Sequence, residues 1–420
     1  MRSAALTIVL YLAFVATAPA GIGVGDEIKV FGNRPEIPAR GTPAAAYGNG
    51  VFLTVWREGW HGKGGNARVY ASRVSTDGEV LDPGGIPIAA CENGVQTLPK
   101  AAFAGNVFII VWQDFCNGKD YDILAARLSL EGRVLDTAPI RIDVAPRTQV
   151  LPDVASDDDG FLVVWQGITG ETTRYGGFAR RVDVNGELGA IVETGALPQP
   201  QLAWNGNRFL VAYGGSQVRV KFLDGYGSLA VPGESGDRIL RGTKAMRFAT
   251  AAARGGGWLV VGHRSPPDHW GWGGPGAIRA AYLGPEGKLE NANAIKEPSG
   301  NWSKLPNWLD VTDKKAGTWP LGQSAVASDG QDFLVVWQRH HYRKPGIELK
   351  NPDIIASRVR HWRPLDANGV PVAASRDAEK NPALVSNGAG KLLCVYERHG
   401  TKGGVYIAAR LIETRRDDAE

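Results

Sequence analysis

The chain has 420 residues, a formal net charge of +4 at pH 7 and 43% hydrophobic residues. The modest positive charge is not gathered into Lys/Arg blocks, which argues against a nucleic-acid partner or a membrane-surface role. Length alone would allow two or three domains, but an array of repeats of this size can form one unit.

The N-terminal segment, residues 1–20, has the layout of a secretory signal peptide. Arg2 precedes an apolar stretch from Ala4 to Ala18, and Ala18-Pro19-Ala20 supplies the small residues of a cleavage site. The stretch is too short to span a bilayer comfortably, and no later apolar run is longer. We therefore expect a secreted or periplasmic protein without a membrane span, closed by a charged tail at 413–420.

A short apolar run that ends in an aromatic residue, or a degenerate copy of it, recurs seven times at nearly even spacing. The runs end at Trp56, Trp112, Trp165, Tyr213, Gly262, Trp337 and Tyr396. A repeat of roughly fifty residues rich in β-branched and aromatic side chains predicts a β-propeller blade or another stacked unit. The runs are apolar at every position, which indicates a strand covered on both faces and disfavours a two-sheet sandwich.

Each repeat has room for four strands. In the third repeat the first three strands are predicted at Pro152–Ala155, Phe161–Trp165 and Phe178–Val182. The fourth strand is clearest in the first repeat, at Gly85–Ile88, where a proline suits an outer edge strand. The last repeat supplies only three strands, so the isolated strand Glu27–Phe31 is expected to complete it and close the ring.

The predicted fold is thus all-β: one seven-bladed propeller of four-stranded antiparallel blades over residues 25–412. The expected blade cores lie near 43–90, 99–145, 152–195, 198–243, 245–297, 321–375 and 382–412 plus 27–31.

The repeats resemble those of poorly characterised secreted bacterial propeller proteins. The shared features are an F-L-V-V-W core, an A-x-R-V strand and an x-x-D-G turn, here Phe333–Trp337, Ala356–Val359 and Thr76-Asp77-Gly78. The resemblance covers nearly the whole mature chain and implies the fold without implying an activity. The chain departs from both the WD-repeat pattern and the sialidase aspartate box.

The three cysteines contain no Cys-x-x-Cys pair, which argues against a zinc or redox motif. Cys91 follows the last strand of one repeat and Cys116 the second strand of the next, points that share one rim of a propeller. An oxidising compartment would allow a disulfide between them, worth about 3 kcal/mol. Cys394 lies inside a strand and is expected to be a buried free thiol.

Internal repetition separates residues that serve the blade from residues that could serve a ligand. An arginine recurs at one place in the third strand and is expected to cover a strand edge or pair with a loop carboxylate: Arg73, Arg127, Arg181, Arg358 and Arg410. The aromatic residues that end the second strands are expected in the core.

The loops between second and third strands break the repeat and hold six of the seven histidines. Together with the links between blades they emerge on one face. The ligand-binding residues predicted there are Trp60, His61, His263, Arg264, His269, Trp270, Trp272, Trp302, Trp308 and Trp319. Aromatic rings stack on sugar C–H groups while Arg, His and Asn bind hydroxyls, so a glycan is the natural partner. The alternative is that these long loops bury their own aromatics and that Arg264, Arg339, Arg343 and Arg398 are solvated charge.

Three functions remain open. The first is a propeller that binds a carbohydrate or glycoprotein, and the second is a scaffold for a cell-surface or extracellular protein. The third is an enzyme: a polysaccharide lyase using His340, His341 or His399, Tyr342, and Arg339 or Arg398, or a glycosidase using two of Glu58, Asp114, Asp268 and Glu397. Histidines on separate loops rarely converge on a metal, so His263, His340, His341 and His399 predict no metal site, and no cofactor is expected.

Overall fold

The computed structural model describes most of the chain between residues 21 and 415. The described ranges are 21–31, 40–60, 65–91, 94–168, 174–214, 218–230, 238–240, 246–254, 256–264, 277–290, 309–311, 318–341, 350–360, 363–366, 369–401 and 403–415. The predicted signal peptide lies outside them. Within these ranges no helix is long and apolar enough to cross a membrane.

The strands form seven antiparallel sheets, which we number as blades 1 to 7 in chain order. Blade 1 comprises β2 (Arg40–Gly48), β3 (Val51–Trp60), β4 (Asn66–Ser75) and β5 (Ile86–Pro87). Blade 2 comprises β6 (Gln96–Ala104), β7 (Val107–Asp114), β8 (Asp122–Ser129) and β9 (Ile140–Asp143). Blade 3 comprises β10 (Gln149–Ser156), β11 (Gly160–Ile168), β12 (Tyr175–Asp183) and β13 (Leu188–Gly195).

Blades 4 to 6 repeat this order. Blade 4 comprises β14 (Gln201–Trp204), β15 (Phe209–Tyr213), β16 (Arg219–Leu223) and β17 (Arg238–Ile239). Blade 5 comprises β18 (Met246–Arg254), β19 (Gly257–Arg264), β20 (Ala277–Leu283) and β21 (Leu309–Asp310). Blade 6 comprises β22 (Thr318–Ser328), β23 (Phe333–His341), β24 (Lys350–Arg360), β25 (Arg363–Pro364) and β26 (Val370–Ala373). In blade 6 both β25 and β26 pair with β24.

Blade 7 confirms the predicted closure of the ring. It consists of β27 (Ala378–Ser386), β28 (Lys391–His399) and β29 (Val405–Arg415), with the N-terminal β1 (Gly21–Phe31) as its fourth strand. The register places Glu27 opposite Arg410 and Ile28 opposite Ala409. The seven-bladed, all-β fold predicted from the repeats is therefore confirmed.

The apolar second strands are buried between neighbouring blades. The described residues contain seven apolar clusters, one at each junction between adjacent blades. Leu53 and Val55 pack toward Phe108 of blade 2, whereas Trp56 of the same strand packs toward Val395 of blade 7. Because alternate side chains of a strand face opposite sides, burial of both sides requires a blade on each side.

The innermost strands share a bulge that the sequence reading did not anticipate. In five blades the residue before a proline has a positive φ: Thr42, Leu98, Leu151, Gln199 and Asn381. The pairing register shifts beside this residue, for example between Gly41 and Ala44. The following proline, which cannot donate to a ladder, sits on the strand edge that faces the axis of the ring.

The recurring arginines of the third strands are structural, as predicted. Arg127 pairs with Asp136 at 2.7 Å, and its Nη1 donates to the carbonyl of Val184 in the next blade at 3.1 Å. Arg73 repeats both contacts, with Asp82 and with the carbonyl of Leu130. Arg73 and Arg127 thus each fasten their own blade to the turn of the next one.

Two blades supply this cation from a different position. Blade 4 has Phe222 where the arginine would stand, and Arg208 instead lies over that ring and donates to the Pro285 carbonyl of blade 5 at 2.8 Å. In blade 7, Lys391 reaches the Thr76 carbonyl of blade 1 at 3.3 Å. The contact to the next turn is kept although the residue that makes it moves.

The predicted disulfide is present. Cys91 and Cys116 are bonded, with their Cα atoms 5.8 Å apart, and Cys394 is a buried free cysteine. The bond joins the link after blade 1 to the loop between the second and third strands of blade 2.

Replacement of Arg127 by alanine tests the contact between neighbouring blades. We expect Arg127→Ala to lower the free energy of unfolding by about 2–3 kcal/mol, because it leaves the partly buried Asp136 without its cation. Arg133→Ala, which removes an exposed arginine of the same blade, is the control and should change it by less than about 0.5 kcal/mol. Urea denaturation measures both, and equal losses would contradict a specific role for Arg127.

Candidate functional site

We call the end of the propeller where the second strands finish and the blades are linked the loop face, and the opposite end the turn face. Seven of the predicted loop-face residues lie outside the described residues: His61, His269, Trp270, Trp272, Trp302, Trp308 and Tyr342. Asp268 and Arg343 also lie outside them. Their predicted roles stay predictions.

Five more predicted residues are described by strand position alone. His263 and Arg264 end β19, Trp319 is the second residue of β22, and His340 and His341 end β23. The register pairs Trp319 with His340. Within the described part of the chain, no group of three or more metal-binding side chains is placed to hold an ion.

Trp60 is an exposed aromatic residue of the loop face. It is the last residue of β3, and 58% of its surface is accessible. The backbone that carries this indole is held in place by β3, whose preceding residues are buried. Its role in stacking on a ligand stays a prediction.

A buried carboxylate, Glu397, organises the junction between blade 7 and blade 1, which we call the closing seam. One oxygen accepts hydrogen bonds from the Thr42 backbone N–H at 2.9 Å and from Asn381 Nδ2 at 2.8 Å. The other lies 2.9 Å from His399 Nε2. Glu397 is 5% exposed, so these partners orient both a carboxylate and an imidazole before any ligand arrives.

Arg398, a predicted candidate for neutralising a carboxylate, already has two partners. It forms ion pairs with Glu27 of β1 and with Asp377, the latter at 2.9 Å. Burial lowers the pKa of Arg398, but attraction to Glu27 and Asp377 outweighs this and raises it overall. A role in ligand binding would require Arg398 to leave these carboxylates, and the role stays a prediction.

The other candidates from the enzyme hypotheses also have protein partners. Arg339 lies 3.5 Å from Asp353, and Glu58 forms a buried ion pair with Arg40 at 3.3 Å. Asp114 accepts hydrogen bonds from Trp112 Nε1 at 2.9 Å and from the Cys116 N–H at 2.8 Å. These contacts hold strands and loops in place.

In three blades the residue after the aromatic end of the second strand accepts a hydrogen bond from the next blade. Gln113 accepts the N–H of Leu151 in blade 3 at 3.1 Å, and Gln338 accepts that of Asn381 in blade 7 at 3.2 Å. Glu397 accepts the N–H of Thr42 in the same way. Each acceptor therefore joins one blade to the left-handed residue of the next.

Blade 1 has Arg57 at this position. A guanidinium has no acceptor, so Arg57 cannot make the repeated contact. The residue is 6% exposed, and its Nε and Nη1 have no hydrogen-bond partner. Burial lowers its pKa, and attraction to Glu397 opposes this only in part. The sequence alone did not single out Arg57, because the same position also varies in other repeats, as Gly214 in blade 4 and His263 in blade 5.

A cavity of about 380 Å³ lies on the axis of the ring. It is lined by the innermost strands of blades 1–4, 6 and 7. The residue that follows the proline of the bulge is polar in three blades: Lys100 in blade 2, Asp153 in blade 3 and Gln201 in blade 4. In blades 7 and 1 it is alanine, Ala383 and Ala44. Lys100 lies 3.6 Å from Asp153, whose pKa burial raises. One arc of the cavity is thus polar and the other small and apolar.

No protein-family model and no curated protein matches this chain. Among solved structures it is similar to a Dyadobacter fermentans protein of unknown function, with 9% identity, TM-score 0.49, and 94% of this chain and all of the other covered. A phage phi92 endosialidase has 11% identity, TM-score 0.49, and 94% and 70% coverage. An α-L-arabinofuranosidase from Lactobacillus brevis has 12% identity, TM-score 0.40, and 82% and 98% coverage. Such distant likenesses carry no argument about activity, and the propeller assignment rests on the strand pairing itself.

Asp122, at the start of β8 on the loop face, is a carboxyl group whose protonation should affect stability. Burial, with repulsion from Asp120, raises the pKa of Asp122 to about 6. Its folded pKa lies above its unfolded one, so its stabilising contribution is complete below about pH 4 and is lost as the pH rises through 6. We expect Asp122→Asn to stabilise the protein at pH 8 by roughly 1 kcal/mol, allowing for solvent screening, and to lose this advantage toward pH 4.

Thermal or urea unfolding at several pH values would measure this effect. Asp159→Asn, at an exposed turn, is the control and should show no such trend. A gain for Asp122→Asn that is independent of pH would contradict the proposed cause.

Proposed function

We propose that the protein is exported and binds a carbohydrate, free or on a glycoprotein, at the loop face beside the closing seam. The observation that carries this proposal lies on β3: the exposed indole of Trp60 stands three residues from the buried, partly unpartnered guanidinium of Arg57. Both residues lie at the loop-face end of β3, and a flat apolar ring together with hydrogen-bonding groups is the combination that a sugar requires, since pyranose rings have apolar C–H faces and polar edges.

The seam supports the proposal because its polar groups are fixed in advance. Glu397 and His399 hold each other, and Asn381 holds the same carboxylate. Ligands bind more tightly to side chains that need no ordering, because less conformational entropy is lost on binding. The axial cavity lies next to the seam, because Pro43 of blade 1 and Pro382 of blade 7 are among its lining residues.

A second candidate function uses the Glu397–His399 pair. A carboxylate that holds an imidazole at 2.9 Å is an arrangement suited to proton transfer, which a polysaccharide lyase requires. Among the predicted lyase residues, His399 is the histidine that this contact favours. The protein-interaction scaffold is the alternative that would gain if no glycan binds.

Export has its own test. Cleavage after Ala20 would leave a chain that begins at Gly21, where the closing strand β1 also begins, so the mature protein would keep blade 7 complete. N-terminal sequencing of protein recovered outside the cytoplasm should therefore read Gly21. An uncleaved Met1 in that fraction would contradict the signal-peptide prediction.

Removal of the exposed indole tests glycan binding. We expect Trp60→Ala to weaken binding to glycans detected on an array by about tenfold, because ring stacking is lost. The control is Tyr226→Ala, which removes an aromatic side chain that is 74% exposed on the turn face. Since both rings are exposed, neither variant should change the melting temperature much.

Three outcomes are informative. Loss of binding in Trp60→Ala alone supports the site, and equal effects of the two variants would place binding elsewhere. Absence of wild-type binding to acidic and neutral glycans alike would overturn the proposed function. For the lyase, absorbance of the unsaturated uronate product should rise for wild type and not for His399→Ala.

A further inference from the structure

We propose that Arg57 binds a carboxylate group, so that the ligand of the loop face is an acidic glycan containing uronic or sialic acid. This inference rests on the proposed function and assigns it a ligand class. It starts from the position of Arg57 in the repeat and from the contacts that its guanidinium lacks.

The first step is that Arg57 stands where three other blades have a hydrogen-bond acceptor. The structure uses Gln113, Gln338 and Glu397 as acceptors that fasten one blade to the next. A glutamine at position 57 could serve the same way, whereas arginine gives up that hydrogen bond and buries a charge. Residues that lower the stability of the folded protein in this way are often retained at functional sites, because the same side chain is needed to bind a ligand.

The second step is that the charge of Arg57 is compensated only in part. Its Nε and Nη1 have no hydrogen-bond partner, and burial lowers its pKa more than the attraction of Glu397 raises it. A buried charge that lacks a hydrogen-bonded counter-ion is unfavourable. A carboxylate bound to the guanidinium plane would supply the missing acceptors, and two parallel N–H···O bonds make this pairing selective.

The third step is that two other arginines at the seam, Arg40 and Arg398, have carboxylate partners. Arg40 pairs with Glu58, and Arg398 pairs with Glu27 and Asp377. Arg57 has no carboxylate within ion-pair distance among the described residues. It is therefore the guanidinium that an incoming anion would meet without breaking an existing ion pair.

A glycine keeps space for the guanidinium. A Cβ atom on Gly41 would lie 2.8 Å from Arg57 Nη2 and 2.8 Å from Glu397 Oε1. The φ angle of Gly41 is not in the left-handed region, so the backbone would tolerate alanine. Gly41→Ala should displace the guanidinium while leaving its charge in the protein.

The test compares acidic sugars with their uncharged counterparts. The probes are trigalacturonate with its methyl ester, and sialyllactose with lactose, titrated into wild type, Arg57→Gln and Gly41→Ala. We expect Arg57→Gln to weaken binding of the acidic member that wild type binds by about 10- to 100-fold, with less than a threefold change for neutral sugars. Gly41→Ala should weaken acidic binding in the same direction.

Two further measurements separate binding from folding and from net charge. Arg57→Gln should melt at the same temperature as wild type or higher, because glutamine can accept the N–H of the next blade as Gln113 does. Arg133→Gln removes one exposed positive charge on the turn face and should leave binding unchanged.

The outcomes distinguish this inference from the proposed function. Wild type that binds neutral sugars through Trp60 but prefers no acidic one overturns the role of Arg57 and leaves glycan binding intact. Unchanged acidic binding in Arg57→Gln has the same consequence. If wild type binds none of the four probes and no glycan on the array, both proposals fail together.

Discussion

Burial of the second strand between two neighbouring blades is the constraint on which the whole structure depends. Leu53 and Val55 face blade 2 while Trp56 faces blade 7, and the same division recurs at each junction. A single blade cannot bury such a strand, because one side of its sheet would be left in water. Stability therefore depends on contacts between blades, which is why the polar contacts that recur along the chain also join one blade to the next.

Two kinds of polar contact reinforce the apolar junctions, one near each end of the ring. Toward the turn face a cation donates to the turn carbonyl of the following blade, as Arg127 does to Val184. Toward the loop face an acceptor receives the N–H of a left-handed residue, as Gln113 does from Leu151. Blade 4 shows how strongly the first kind is maintained: the arginine is lost to Phe222, and Arg208 reaches the next turn instead.

The architecture could be predicted from the sequence because it is set by a repeated local pattern. The seven runs, the missing fourth strand of the last repeat and the pairing of Cys91 with Cys116 all follow from spacing. The bulge before Pro43 and the burial of Arg57 did not, since both depend on how an inner strand meets its neighbour blade. Arg398 shows why site residues are harder to predict from the sequence than the fold is. Its residue type suggested a ligand contact, but its partner Glu27 is distant in sequence and reaches it only because β1 completes blade 7.

Blade 7 differs from the other blades because its third strand, β29, and its fourth strand, β1, come from opposite ends of the chain and are joined by hydrogen bonds alone. From β1 the chain continues into β2 of blade 1 in the usual order, so the ring stays closed only while the C-terminal strands hold on to the N-terminal ones. Polar contacts across this seam, such as Arg40 to the Val405 carbonyl at 2.7 Å and the Thr42 N–H to Glu397, therefore have a structural explanation in holding the ring shut. Arg57 is different, because its buried nitrogens fasten nothing and a glutamine there would serve the ring better. Arg57 adds no hydrogen bond to the closure, and its buried charge is compensated only in part by Glu397. These two properties distinguish Arg57 from Arg40 and Arg398, whose ion pairs help to hold the ring shut.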